Sequence, residues 1–498
     1  MKVLDSYTVE SEGIPALIQI VDDESFTNMY MLHCAKVRKS TEAVMDFLKQ
    51  RVIDAVNISA SEIANFSAWE TLRANVKKKA HELVRTELGN LDPKEEDLLV
   101  GKLLQEMLGI SELEFFLCDE QLEEVVVISS KDPVWVYHRK YGWLKTNVSI
   151  TSEEHIRNYA SIMGRRVGKQ ITNLDPLMDA YLLSGHRVNA TLSPVSAKGN
   201  SITIRKFRKD PFTVIDFISP NLNTTSVEAL AFIWLSVQYE MNLLVGGGTA
   251  SGKTSFLNAI LAFTPPNQRV VSIEDTRELM LPTYLHWTPM VTRLPNPEGK
   301  GGVSMLDLAV NSLRMRPDRI VLGEVRRQSE AEVLFEAMHT GHSVYSTVHA
   351  DDASQMKSRL ISPPINLPEQ FLSAMHLAVV QYRQRRTGIR RTTEIAEIIP
   401  GERGVSFNVV FQWDAQDDKL EKVDEHIRVD NEIKARTGMR QKEITADLEQ
   451  KKAILLAMSD AGINKVDDVG MVFAKYYKSP KFVAECAQKG AREMRKLL

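Results

Sequence analysis

The sequence predicts an α/β protein whose second half folds as a parallel-rich, doubly wound sheet, preceded by a smaller α+β domain and a helical N-terminal extension. Three observations predict it. From about residue 214, unbroken apolar runs alternate with helical periods: Asn242–Val245, Arg269–Ile273, Arg319–Leu322 and Ser343–Thr347. Strands apolar on both faces belong to parallel sheets covered on both sides. One of these runs leads directly into a glycine-rich loop and then a helix-like segment. Upstream, residues 98–213 carry a different, mixed pattern.

At 498 residues the chain exceeds one typical domain,. Residues 1–90 form an N-terminal extension, with a strand-like run from Ile14 to Val21 and helix-like segments from Glu42 to Val56 and Ala68 to Leu88. Leu88 to Asp97 is rich in turn residues and charge and reads as a hinge. The α+β domain spans 91–212, with a helix from Asp97 to Leu108 and strands at Glu124–Ile128, Val134–His138, Arg187–Leu192 and Ser201–Phe207. Asp210-Pro-Phe-Thr is the linker to an α/β domain over 213–430. A charged tail over 431–498 shows helical patterning and no strand signal.

Composition narrows the function. The chain is 43% apolar and 26% charged with a formal net charge of −3, so it has no overall field for nucleic acid or an anionic membrane. Cys34, Cys118 and Cys486 are far apart and form no C-x-x-C pair, which argues against a zinc or iron–sulfur site and fits a reducing cytosol. The N-terminal residues have no signal-peptide core. The most apolar stretch, Ala229 to Val237, is far shorter than the ~20 residues a membrane span requires. Membrane contact is therefore expected to be peripheral.

The strand Met241–Val245 runs into Gly247-Gly248-Thr249-Ala250-Ser251-Gly252-Lys253-Thr254, followed by Ser255 and the helix-like Phe256–Leu261. This is G-x-x-x-x-G-K-[ST] in strand–loop–helix order. Glycines let successive N–H groups turn toward phosphate oxygens, and the helix N-terminus adds partial positive charge. Lys253 is placed to reach β- and γ-phosphates, and Thr254 to offer its hydroxyl to Mg²⁺.

Two further strands end in acids. Val270-Val-Ser-Ile ends in Glu274 and Asp275, and Arg319-Ile-Val-Leu ends in Gly323 and Glu324. In a parallel sheet such ends gather at one edge. Glu274 or Asp275 can orient an attacking water there, and Glu324 can hold the Mg²⁺ hydration shell. His339, His342 and His349 surround the next strand without the spacing of a metal site,; His342 and His349 flank it and can reach phosphate. Taken from the residues alone, Arg187 and Arg205 are ordinary strand charges.

The ordered set Gly247–Thr254, Ile273-Glu-Asp-Thr, Leu313-Arg-Met-Arg-Pro-Asp-Arg-Ile-Val-Leu-Gly-Glu-Val-Arg326 and Thr340–His349 resembles the type II/IV secretion ATPase superfamily. Val134–Asn147, Ser184–Asn189 and Ser201–Phe207 look like its archaeal branch. The resemblance covers roughly residues 95–430. It implies a RecA-like ATPase domain, a PAS-like N-terminal domain, ATP with Mg²⁺ between them, and a homo-hexameric ring. Lys253 and Thr254 then match the Walker A pair, Glu274 the catalytic glutamate, Glu324 the Walker B acid, and His342 and His349 the histidine box. Arg187 and Arg205 match arginines that approach the γ-phosphate on domain closure. The resemblance also implies a cytoplasmic motor at the inner face of the cell membrane, acting on an integral-membrane platform protein of a pilus, archaellum or secretion system. After Arg326 the chain departs from the family pattern: Arg327-Gln-Ser-Glu replaces the usual glycine, so the resemblance gives Arg326 no role. Arg383–Arg391 reads as a solvated loop and strand edge, or as a contact for assembly or acidic lipid. The competing readings are a DNA-handling RecA-like or conjugation ATPase and a nucleotide-binding regulatory subunit.

Overall fold

Alternate burial builds the first sheet. In Ile14–Asp22 the residues Ile14, Ala16, Ile18 and Ile20 face inward while those between them are at least partly exposed, the period-two pattern of a strand covered on one side. The computed structural model describes residues 2–498 apart from 23–25, 36–38, 57–65, 90, 183, 208–209, 294, 296–299 and 403. It divides into two units, Met1–Arg208 and Lys209–Leu498.

The first unit contains β1 (Lys2–Ser11), β2 (Ile14–Asp22), β3 (Met29–Cys34), β4 (Leu122–Val127), β5 (Pro133–His138), β6 (Gly142–Ser149), β7 (Leu177–Tyr181), β8 (Arg187–Thr191) and β9 (Ser201–Arg205). They form one sheet in the order β1-β2-β3-β6-β5-β4-β9-β8-β7. The parallel pair β3·β6 joins the N-terminal strands to the others. Its helices are α1 (Lys39–Ala55), α2 (Phe66–Leu88), α3 (Pro93–Met107), α4 (Leu113–Cys118) and α5 (Glu153–Arg165). The first three share a small core around Leu48, Val52, Val76, Val84 and Leu103. Asp92 caps α3 and Pro93 opens it, a favoured start because that nitrogen needs no intrahelical partner. The sequence reading placed a single strand in the first 90 residues; β1 and β3 join it. Most of β1 is exposed or half-buried, so it lacks the apolar alternation that marks β2.

The second unit contains β10 (Leu243–Gly247), β11 (Arg269–Glu274), β12 (His286–Val291), β13 (Arg319–Leu322), β14 (Ser343–Val348), β15 (Leu377–Arg383), β16 (Arg390–Gly401), β17 (Gly404–Asp414) and β18 (Lys419–Lys422). Their order is β12-β11-β13-β14-β10-β15-β16-β17-β18. The sheet is parallel from β12 to β15 and antiparallel from β15 to β18. This is the RecA-like arrangement. Every residue of β10, β13 and β14 is buried. Leu243 and Val245 face one core and Leu244 the other; burial on both faces explains the unbroken apolar runs.

Helices cover both faces: α6 (Val214–Ile218), α7 (Val227–Gln238), α8 (Lys253–Leu261), α9 (Met305–Ser312), α10 (Gln328–His339) and α11 (Ala353–Ile361). The tail supplies α12 (Arg428–Thr437), α13 (Gln441–Asp460), α14 (Val466–Lys478), α15 (Pro480–Lys489) and α16 (Ala491–Arg495). These tail helices pack into the same core as α7 and α8. Trp234 of α7 is the pivot. It is fully buried, stacks on Phe263 at 5.3 Å, and meets Phe473 and Tyr476 at 4.7 and 4.8 Å. Its Nε1 donates to the Tyr477 hydroxyl at 3.1 Å. Among the described residues no helix is long and apolar enough to cross a membrane.

Removing that ring empties a site shared by α7, α14 and the end of α8. Trp234→Ala is expected to cost about 3–5 kcal/mol of stability, measured by chemical denaturation of the second unit; an unchanged midpoint would contradict the packing described.

Candidate functional site

The loop between β10 and α8 is held by its glycines and by its lysine. Gly247 has φ +147° and Gly252 φ +98°, a region that favours glycine. A Cβ on Gly247 would come within 2.2 Å of the Gln381 carbonyl oxygen on the neighbouring β15. Lys253 Nζ curls back into the bend and donates to the Gly247 and Gly248 carbonyls at 2.8 and 2.9 Å. Burial pulls the Lys253 pKa down from the usual lysine range, opposed by the charges of Glu324, Asp351 and Glu278. Thr254 is half-buried in the first helical turn; Thr249, Ala250 and Ser255 are exposed. Ser251 Oγ is buried without a hydrogen-bond partner.

Strand order places the remaining groups. Because β11, β13, β14 and β10 are parallel neighbours, their C-terminal ends share one edge, spaced by ~4.8 Å per strand. A chain of polar contacts runs along it. Asp275 Oδ2 accepts from Arg326 Nη1 at 2.7 Å. Glu324 Oε2 accepts from Arg326 Nε and Nη2 at 3.0 and 2.8 Å. Glu324 Oε1 lies 3.1 Å from His349 Nε2, and His349 Nδ1 lies 3.3 Å from Lys253 Nζ. An ammonium can only donate, so Nδ1 accepts and the Nε2 proton faces Glu324.

Glu274 stands apart from this chain. It is 2% exposed. Its Oε1 accepts the N–H groups of Glu278 and Leu279 at 2.8 and 3.0 Å, while Oε2 is buried with no partner. Burial, helped by the charge of Glu278 and opposed by the two N–H bonds and Arg277, pushes its pKa up to about 7. A carboxyl balanced near neutrality with one unused oxygen is equipped to accept a proton.

Comparison with known proteins identifies the family. Residues 160–385 match the family model described as type II/IV secretion system protein. A Mycobacterium tuberculosis protein with a provisional conjugal-transfer name is 31% identical over 325 residues, which is 63% of this chain and 91% of that one. This chain belongs to the type II/IV secretion system protein family. An uncharacterized protein of Methanocaldococcus jannaschii is 38% identical over 335 residues, covering 66% of this chain; the chain spans 60% of that relative's length. The type IV secretion system protein PtlH of Bordetella pertussis is 28% identical over 297 residues, covering 53% of this chain and 87% of that one.

Within this family member, Lys253, Glu274, Glu324 and His349 meet at one edge. His342 does not join them: it precedes β14, and its Nδ1 lies 3.2 Å from Thr340 Oγ1 and 3.3 Å from the Ala337 carbonyl at the end of α10. His339 packs edge-on against Phe371. No group of three metal-ligating side chains occurs among the described residues. Arg187 and Arg205 lie in the first unit as exposed cross-strand partners on β8 and β9, and Arg187 forks onto Asp179 at 3.0 and 2.6 Å. Two contacts escaped the sequence reading. Arg326 bridges the carboxylates, and Arg390, the first residue of β16, donates from Nε to the Ala250 carbonyl at 3.1 Å. No local pattern signals either contact.

Glu274 couples this site to stability. Folding raises its pKa from 4.5 to about 7, so between these values the folded state holds more proton than the unfolded chain. Stability therefore falls as pH rises through that window, and the cost is full above it. Glu274→Gln is expected to gain up to about 3 kcal/mol at pH 8 relative to wild type, and little at pH 4. Denaturation at the two pH values measures it; an equal effect at both would contradict the burial argument.

Proposed function

We propose that this chain hydrolyses ATP with Mg²⁺, as a subunit of a homo-hexameric motor for a type IV pilus-like, archaellum or type II/IV secretion machine. One observation carries the chemistry: the loop lysine, an acid pair and a separate buried acid with an unused oxygen converge at the carboxyl edge of four neighbouring parallel strands. The residues fit a Mg²⁺–triphosphate. Gly247 and Gly252 shape a bend with the conformation that phosphate-binding loops use,, and Lys253 already lies inside it.

In this reading Lys253 leaves His349 and pairs with the β- and γ-phosphates. Thr254 and Glu324 would hold Mg²⁺. The bound ion supplies charge neutralisation at the phosphates. Glu274 Oε2 orients the attacking water and takes its proton, while Oε1 stays tied to two N–H groups and fixes the direction of attack. Arg187 and Arg205 are proposed to meet the γ-phosphate. Their exposure, and the ready exchange of a surface partner such as Asp179, support that role. Each cycle of hydrolysis would drive an integral-membrane platform protein from the cytoplasmic side, so that membrane association is peripheral and through that partner.

A second reading, a DNA-handling conjugation ATPase, is favoured by the name of the Mycobacterium tuberculosis relative. The net charge of −3 opposes it,. Phosphate release measured with and without DNA separates the two: the motor reading expects no stimulation, and a strong stimulation would replace it.

Lys253→Ala is expected to abolish turnover, and Glu274→Gln to bind ATP while losing at least about 100-fold in hydrolysis. Wild-type turnover should rise with pH through about 7, as Glu274 loses its proton, and level off above,. A phosphate-release assay across pH checks both; normal hydrolysis by Glu274→Gln would move the base to another group.

A further inference from the structure

A guanidinium sits between the carboxylates of Asp275 and Glu324, just past the ends of β11 and β13. Arg326 gives Nε and Nη2 to one oxygen of Glu324 and Nη1 to one oxygen of Asp275. The second oxygen of each is engaged elsewhere: Glu324 Oε1 with His349 Nε2 at 3.1 Å, and Asp275 Oδ1 with the Thr292 hydroxyl at 3.2 Å. Arg326 thus holds one oxygen of each carboxylate, including Oε2 of Glu324, the acid proposed above to hold Mg²⁺. Its backbone is fixed, since the N–H groups of Arg326 and Arg327 both donate to Glu330 Oε2 at 3.2 and 3.1 Å. Its side chain is 58% exposed. The charged head can therefore turn into water at little desolvation cost while the chain stays in place.

We propose that Arg326 is a positioning residue that serves as the stand-in counter-cation of the Glu324–Asp275 pair and must leave Glu324 whenever Thr254 and Glu324 take a divalent cation. The proposal rests on the Mg²⁺–ATP reading and adds a function to a residue that reading does not use. Two like charges facing one another repel each other and any incoming phosphate. Arg326 cancels that repulsion when the metal is absent. When the metal is present, Arg326 competes with it. Both effects have the same consequence: Arg326 weakens the dependence of nucleotide affinity on the metal. Because coupling of this kind is reciprocal, it is measurable from the nucleotide side alone.

The test uses the full chain and ADP, with affinity measured by calorimetry in excess Mg²⁺ and in excess EDTA. The readout is the ratio of the two affinities. For Arg326→Gln the ratio is expected to rise about fivefold, the size of one partly exposed charge-assisted contact, with ADP binding weaker in EDTA and as tight or tighter in Mg²⁺. A purely structural role lowers both affinities together and leaves the ratio unchanged, which would overturn the proposal. Arg326→Lys keeps the charge but gives up the two-ended fork. Its ratio should fall between the other two, and it provides the test if Arg326→Gln does not fold; a ratio equal to wild type would again overturn the proposal. Failure of the wild type to bind ADP under either condition would instead sink the underlying nucleotide reading, an outcome distinct from bound ADP with an unchanged ratio.

Discussion

The adjacency of four parallel strands, β11, β13, β14 and β10, is the constraint on which the site depends. Parallel pairing puts all four C-terminal ends at one edge, and the backbone ladder fixes their spacing. Glu274, Glu324, His349 and the Lys253 loop are far apart in sequence. They meet because Ile273 pairs with Leu322, Leu322 with Ser346, and Val348 with Gly246. Side chains reinforce the same ladder: Ser346 Oγ donates to the Leu322 carbonyl and Thr347 Oγ1 to the Gly323 carbonyl, both at 2.8 Å. A one-residue slip between β13 and β14 would move Glu324 away from His349 and break the chain to Lys253. The two buried cores on either face are what prevent such a slip.

Polar groups at this edge are held in unequal environments, and the inequality sorts their chemistry. Glu274 is sealed beneath the 274–279 turn and kept close to its neutral form. Glu324 and Asp275, nearer the surface, are paired with a cation. Burial and partners alone thereby give the acids of one edge different surroundings. Lys253 is drawn among the loop carbonyls and touches His349, which links it to Glu324. In the first unit, Arg187 and Arg205 present charge on an exposed sheet face, with Asp179 as a local partner.

Much of this was legible in the residues. The strands β10, β11, β13 and β14 announce themselves because burial on both faces demands continuous apolar runs, and a group at the end of such a strand is placed by the sheet rather than by its own neighbours. For that reason Lys253, Glu274, Glu324 and His349 could be singled out. Elements without that pattern could not. β12 carries Pro289 and lies at the edge of its sheet, where a missing N–H is tolerated, so its sequence does not read as a strand. β1 is largely exposed. The contact of Arg390 with Ala250 spans 140 residues; the stretch that carries Arg390 looks, from composition alone, like a solvated basic loop. Arg326 follows Glu324 by two residues, yet its bridge to Asp275 exists only because β11 and β13 are neighbours.

The most direct test of the central claim is a structure of the full chain with ADP, beryllium fluoride and Mg²⁺. The account predicts the phosphate chain inside the Gly247–Thr254 bend, Lys253 Nζ on phosphate oxygen instead of His349, and Glu274 Oε2 facing the position of the attacking water. A nucleotide bound elsewhere, or Lys253 still held by His349 with the phosphates beyond its reach, would contradict it.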